Sequence, residues 1–154
     1  MVLSFTAKNV RSIKDKIEFN LSSSADTDHE ENLISYGKER YTRFVSVYGN
    51  NGSGKSSLLI SMLNLQNLVI SNNIIQPGNS LLRMSHKLSL DEPTEYSISF
   101  LTNGIRYIYE LSYFSDRVLK EKLSYAPNGR LAKIFDRTED AVVHSPQFAF
   151  LSPR

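Results

Sequence analysis

Apolar and polar positions alternate with a period of two at both ends of this chain, the pattern of strands with one buried face. Between Val2 and Val10, Leu3, Phe5 and Ala7 alternate with Val2, Ser4, Thr6 and Lys8, and Ile17 to Leu21 resumes after the polar connection Arg11 to Lys16. These runs predict an opening β-hairpin. In the final third, Tyr96, Ile98 and Phe100 alternate within Glu95–Leu101, then Ile105, Tyr107, Tyr109, Leu111 and Tyr113 within Ile105–Phe114. Asn103-Gly104 between them is a two-residue hairpin turn. Arg117–Tyr125 and Arg130–Arg137, joined by Pro127-Asn128-Gly129, extend the block into an antiparallel meander of about four strands. Tyrosines at this spacing could form a stacking platform for single-stranded nucleic acid, but regular alternation points to a buried sheet face.

The period changes in the middle. Arg43-Phe44-Val45-Ser46-Val47-Tyr48 is a β-branched and aromatic run ending at a glycine, and Ser57–Ile70 carries Leu58, Leu59, Met62, Leu63, Leu65 and Leu68 at near-helical spacing. A strand followed by a helix is predicted. Ser22–Arg40 is rich in Ser, Asp and Glu, has only Leu33, Ile34 and Tyr36 as sizeable apolar groups, and reads as an exposed, mobile loop. Ser71–Pro93, with Asn72-Asn73 and Gln76-Pro77-Gly78-Asn79, reads as a connector holding a short helix around Ser80–His86. No repeat or heptad run appears, so residues 1–154 read as a single domain.

At the predicted strand-to-helix junction, Gly49-Asn50-Asn51-Gly52-Ser53-Gly54-Lys55-Ser56 satisfies every fixed position of the phosphate-cradling loop G-x-x-x-x-G-K-[ST]. Each residue type has a mechanical reason. Gly49, Gly52 and Gly54 admit backbone angles closed to other residues, and they let amide N–H groups approach phosphates at the positive end of a helix. Lys55 is placed to bridge the β- and γ-phosphates as the catalytic cation, the Ser56 hydroxyl to ligate Mg²⁺, and Ser57 to cap the helix or touch the α-phosphate. The expected ligands are therefore a nucleoside triphosphate, ATP or GTP, and Mg²⁺, with Asn50, Asn51 and Ser53 completing the loop; the resemblance given below implies ATP.

Composition narrows the class only modestly. With 154 residues, 40% apolar and 10% aromatic, the chain is long enough for one domain with a sizeable core. Its net charge of +2, from 18 basic residues spread along the chain, makes no case for nucleic acid. There is no cysteine, hence no disulfide and no Cys-ligated zinc. Lys8, Arg11 and Lys14 interrupt any secretory signal, and no apolar run approaches the roughly 18 residues of a membrane span. A soluble cytoplasmic protein without membrane partners is expected.

The N-terminus separates the classes of phosphate-loop protein. Lys8-Asn9-Val10-Arg11-Ser12, followed by Ile17-Glu18-Phe19 and then Tyr48-Gly49-Asn50-Asn51-Gly52-Ser53-Gly54-Lys55-Ser56, resembles the opening of the SMC/RecF/OLD-like branch of ABC-type ATPases. There a K-N-[FY]-R-S stretch precedes a G-x-N-G-x-G-K-S loop; this chain has Val10 where an aromatic is commoner. It is also similar to bacterial ATP-binding proteins labelled AAA-family, many of them associated with phage defence. Pro93-Thr94-Glu95-Tyr96, Gly104-Ile105-Arg106-Tyr107 and Ile134-Phe135-Asp136-Arg137 resemble their later pattern. The resemblance implies an α/β (α+β) fold, the N-terminal lobe of an ABC-type head, in which two heads sandwich ATP. It places Asn9 and Arg11 near the phosphates; an arginine merely exposed in a hairpin connection is the plainer reading of Arg11.

Hydrolysis in that class also needs a Walker B aspartate, an adjacent glutamate and a signature serine from the partner head. Asp91-Glu92-Pro93 looks like a Walker B ending, but only Leu88 and Leu90 precede it where a buried strand needs consecutive apolar residues, so it reads as a turn. Gln147 stands where a Q-loop glutamine contacting Mg²⁺ would come, or is a residue of a polar turn. His29, His86 and His144 lack ligand spacing and read as surface residues. The chain thus reads as a nucleotide-binding lobe that needs the remainder of a head, or a second copy, to hydrolyse ATP, with DNA or a nuclease as further partners. A nucleotide-sensing interaction module without hydrolysis and a small P-loop kinase are the rival readings; for a kinase, the meander stands where a lid would be required.

Overall fold

Leu3, Phe5 and Ala7 are sealed from solvent at 1%, 0% and 0% exposure, and the residues between them are half-buried, so the N-terminal alternation builds the predicted strand. The computed structural model describes residues 1–23, 30–70 and 79–151, the last three by backbone alone. In chain order the elements are β1 (Val2–Lys8), β2 (Ile17–Asn20), β3 (Leu33–Tyr36), β4 (Glu39–Thr42), α1 (Lys55–Ile70), β5 (Thr94–Thr102), β6 (Ile105–Tyr113), β7 (Val118–Ala126), β8 (Ala132–Thr138) and β9 (Val142–His144). Short 3-10 turns lie at Glu30–Asn32 and Pro146–Leu151.

The opening hairpin and the meander, separate in the sequence pattern, are one sheet. Its seven strands run β2-β1-β5-β6-β7-β8-β9, each antiparallel to its neighbour. Register explains the shared core: Phe5 pairs Ile98 and Ala7 pairs Tyr96, Tyr96 pairs Leu111, and Tyr109 pairs Leu123. Directly paired residues share a face, so these apolar side chains gather on one side of the sheet. The Asn103-Gly104 turn takes positive φ at both residues, +50° and +74°, the twist a two-residue hairpin needs.

Helix α1 covers part of that face. Leu58, Leu65 and Leu68 join Phe5, Val10, Ile13, Tyr96, Leu111 and Tyr113 in the core. The buried helix face also carries Asn64, whose amide donates to the Tyr96 and Tyr113 hydroxyls at 3.0 and 3.2 Å, while the Tyr113 hydroxyl donates to the Leu82 carbonyl at 2.9 Å. Burial pushes both phenols above the usual tyrosine range. Tyr109 is pushed up likewise, by burial first and then by Glu121, to which its hydroxyl donates at 2.8 Å. Farther out, Phe100, Tyr107 and Tyr125 stack in succession and Phe148 meets Tyr125 edge-on, so the tyrosine stripe packs within the fold.

Three expectations are corrected. Residues 22–40, read as a loop, hold β3 and the start of β4, a hairpin turned at Gly37 with φ +61° and seated by Thr42 N–H donating to the Leu21 carbonyl at 2.9 Å. Strands of four residues in a polar stretch are too short to display a period; residues 24–29 of that region lie outside the described part. The helix expected around Ser80–His86 does not form. Its backbone groups are taken elsewhere: Leu81 N–H donates to Ser115 O, Arg11 N–H to Met84 O, and His86 N–H to the Asn9 side chain. The rest of that connector, residues 71–78, lies outside the described residues.

Third, Arg43–Tyr48 joins no sheet among the described residues. Phe44, Val45, Val47 and Tyr48 stand 69%, 49%, 44% and 88% exposed. Strand propensity expresses readiness to pair, and a ladder needs a neighbour. Leu59 and Leu63 on the outer face of α1 are also exposed. No described helix is long and apolar enough to cross a membrane.

Candidate functional site

Where α1 begins, its first N–H groups have no intrahelical acceptors, and its first turn holds no acidic residue. The loop Gly49–Gly54 arches over this end, with φ of +83° at Gly52 and +93° at Gly54, conformations that glycine adopts without strain. A Cβ on Gly49 would meet the Ser53 hydroxyl at 2.8 Å, so the loop closes on itself there. Inside the arch the Lys55 ammonium donates to the Gly49 and Asn50 carbonyls at 2.7 Å each, with Ser53 Oγ at 3.5 Å. The result is a recess of about 300 Å³ lined by Ser12 and by residues 51–57, in which a cation and unpaired helix N–H groups converge. That donor set suits phosphate, since both the dipole and the ammonium favour an anion.

The opening hairpin delivers its tip to this loop. Val10 and Ile13 exchange backbone hydrogen bonds at 2.8 Å, leaving Arg11 and Ser12 at the corner, with Arg11 at φ +52°. Ser12 Oγ donates to Ser57 Oγ at 2.7 Å, and a Cβ on Gly54 would lie 3.6 Å from Ser12 Oγ. Ser57, only 7% exposed, thereby ties helix to hairpin. Ser56 is exposed at the start of α1, free to offer one oxygen to a magnesium ion carried on phosphates. Among the described residues no group of three or more His, Cys, Asp or Glu could hold a metal by itself.

Asn9 is placed differently from a phosphate ligand. It is fully buried, and its amide donates to the carbonyls of Ser89, Glu92 and Pro93 at 2.8, 2.6 and 3.3 Å, while its oxygen accepts the His86 N–H at 2.9 Å. Every polar atom of the side chain is spent on residues 86–93. The Arg83 guanidinium grips the same segment through the Leu90 and Glu92 carbonyls, and Lys8 pairs with Glu92 at 3.2 Å. Glu92 first and then Glu95 raise the Lys8 ammonium above its ordinary value. Asp91 and Glu92 thus sit in a turn with no strand before them, as read from the sequence.

Gln147 is not brought to the loop. Its amide donates to the Tyr125 hydroxyl at 2.6 Å, and Tyr125 pairs across Tyr107 with Phe100 and so toward Val2, the opposite end of β1 from the hairpin tip. The sheet alone puts three strand spacings, roughly 14 Å, between β7 and β1. His86 takes part in the Asn9 clamp; His144, expected at the surface, has both ring nitrogens buried without a hydrogen-bond partner among the described residues, and His29 lies outside them.

A family model described as "AAA domain, putative AbiEii toxin, Type IV TA system" matches residues 44–151, which include the whole phosphate loop, α1 and the meander. The chain belongs to this AAA-domain family. Nucleotide binding of the ATPase type is therefore its coarse function, and the phosphate loop is where the AAA domain would carry it. No curated protein matches the chain. Sequence reasoning missed the hold of Asn9 on residues 86–93, because an asparagine at a strand end reads equally well as a turn residue.

Proposed function

We propose that this AAA domain binds Mg·ATP through Gly49–Ser57 and forms the nucleotide-binding lobe of an ABC-type, SMC/RecF/OLD-like head. The observation that carries this is the Lys55 ammonium held inside a glycine arch at the free N-terminus of α1, with the Ser12–Ser57 pair fixing the hairpin tip beside it. ATP is hydrolysed when two heads close on it, the second supplying a signature serine and the rest of the head supplying the Walker B acid. The exposed apolar run Phe44–Tyr48 supports this reading, because a run of strand propensity with no ladder partner is suited to pairing with further strands. A role in phage defence or DNA processing follows the resemblance, and the toxin–antitoxin wording of the family description supports defence.

Calorimetric titration with Mg·ATP, comparing the wild type with Lys55→Ala, tests the core of the proposal. Binding by the wild type that falls about 10- to 100-fold in the variant is expected, because a lysine–phosphate contact contributes about 1.5–3 kcal/mol. Absence of binding by the wild type would overturn it. Turnover by this chain alone that vanished with Lys55→Ala would contradict the need for a second head.

A second reading is favoured by the same exposed side chains. Phe44, Tyr48, Leu59 and Leu63 are apolar and exposed on the phosphate-loop segment and α1, which suits a module whose partner contact is ordered by nucleotide. ATP-dependent dimerisation without hydrolysis would select it.

A further inference from the structure

Asparagine is followed by glycine three times in the chain, at Asn51-Gly52, Asn103-Gly104 and Asn128-Gly129, and all of these residues are exposed. Such a pair is chemically labile, because glycine, without a Cβ, leaves its backbone nitrogen free to attack the preceding side-chain amide. What surrounds the three pairs differs. We propose that Asn51 is a self-modifying site: the phosphate loop promotes its own deamidation when no nucleotide is bound, bound nucleotide prevents it, and the carboxylate formed closes the loop to phosphate. The protection rests on the phosphate-loop reading; the reactivity rests on the loop's geometry.

Water is the only co-reactant. The Gly52 nitrogen gives up its proton and bonds to Asn51 Cγ; the bond from Cγ to the side-chain nitrogen breaks, and that nitrogen takes the proton and leaves as ammonia. Water then opens the cyclic imide, leaving aspartate or isoaspartate at position 51. Two species on this path are anionic, the deprotonated Gly52 nitrogen and the oxygen of the tetrahedral intermediate at Cγ. Both form at the positive end of α1, whose first turn holds no acidic residue, in the recess that Asn51 and Gly52 share with Lys55. Donors preorganised for the oxygens of phosphate stabilise those anions in the same way.

Ring closure also requires the Asn51–Gly52 peptide to rotate. The two residues lie in no helix or strand, a Cβ on Gly52 would meet nothing within 4 Å, and the turn is bridged by Ser53 N–H donating to the Asn50 carbonyl at 3.2 Å. Asn103-Gly104, by contrast, is gripped between Thr102 and Ile105, paired at the ends of two nine-residue strands, with Asn103 held at φ +50°. Asn128-Gly129 joins β7 to β8, where no helix begins, and the charge of the exposed Arg130 beside it is screened by solvent. Phosphates in the loop would engage its N–H groups, offset its field and fix its backbone, so nucleotide opposes both requirements. After conversion a carboxylate at position 51 competes for Lys55 and repels phosphate, and an isoaspartate also inserts a methylene into the backbone of the arch.

The wild type, the wild type with Mg·ATP, and Lys55→Ala are aged in mildly alkaline buffer, and conversion at the three asparagines is followed by peptide mapping with mass spectrometry. In the free wild type Asn51 is expected to convert about tenfold faster than Asn103 and Asn128. Mg·ATP and Lys55→Ala should each slow Asn51 about tenfold and leave the other two unchanged. Asn51→Asp, a stable stand-in for the product, should bind Mg·ATP at least about tenfold more weakly while unfolding at the wild-type denaturant midpoint. Asn51 converting no faster than Asn128, or at the same rate in Lys55→Ala, would overturn the reactivity. An unchanged rate with Mg·ATP bound would overturn the protection, and full ATP affinity in Asn51→Asp would overturn the effect on binding. Wild-type protein that binds no Mg·ATP in calorimetry would overturn the phosphate-loop reading and the protection together, while the comparison among the three asparagines would still decide the reactivity.

Discussion

The seven-stranded sheet and the phosphate-loop segment obey opposite rules. In the sheet, every strand finds its ladder and α1 covers part of the apolar face, so stability and shape come from pairing between distant parts of the chain. From Arg43 to Ser57 the reverse holds: the chemistry is complete within fifteen or so consecutive residues, while Phe44 and Tyr48 remain open to solvent. Binding chemistry at a helix N-terminus is local because its donors are backbone groups of one loop. Strand burial cannot be local, since its partners are other strands.

The difference can be broken most forcefully on the sheet side. Phe5 is fully buried and stacks on Tyr96 at 5.9 Å, so Phe5→Ala should cost about 3–5 kcal/mol in denaturant unfolding. Nucleotide binding should disappear only as the protein unfolds.

Alkali should act next, and on the same side. Tyr96, Tyr109 and Tyr113 are held neutral mainly by burial, and Tyr41 is pushed up to about 12 by burial and by the Glu39 carboxylate. A folded-state value above the unfolded one near 10 means that this stability is fully present below pH 10 and is lost as pH rises through the folded values. Unfolding midpoints should be level from pH 8 to 9.5 and fall steeply above about pH 10. Tyr109→Phe, which removes one such group, should flatten that fall.

On the loop side, Gly54→Ala forces an alanine to φ +93°, a strain of about 1–2 kcal/mol that falls on the arch itself. A roughly tenfold loss of Mg·ATP affinity with a small shift in unfolding would sharpen the contrast; a shift as large as that of Phe5→Ala would erase it. The smallest effect belongs to Tyr48→Ser. At 88% exposure its replacement should change stability by no more than about 0.5 kcal/mol, measured by the same denaturant titration.

Legibility followed the same division. Alternation at Leu3, Phe5 and Ala7, the Asn103-Gly104 turn and the helical spacing of Leu58, Leu65 and Leu68 exposed β1, the β5–β6 hairpin and α1 directly, because each rests on interactions within a few residues. The phosphate loop was legible for the same reason. The β3–β4 hairpin was hidden by shortness, and the irregular course of residues 80–86 by bonds to Arg11, Asn9 and Ser115, all far away in sequence. Asn9 shows the limit best: its neighbours suggested a phosphate contact, and its place in the fold makes it the clamp of residues 86–93.

By itself, the sequence determined that this protein carries a glycine loop, a lysine and a helix N-terminus able to hold phosphate, set among alternating strands. The tertiary structure alone decided that hairpin and meander share one sheet, that Ser12 meets Ser57, and that Asn9 clamps residues 86–93. Periodicity reports which face of an element is apolar; which elements meet is set by long-range register and by buried hydrogen bonds, which leave no local pattern.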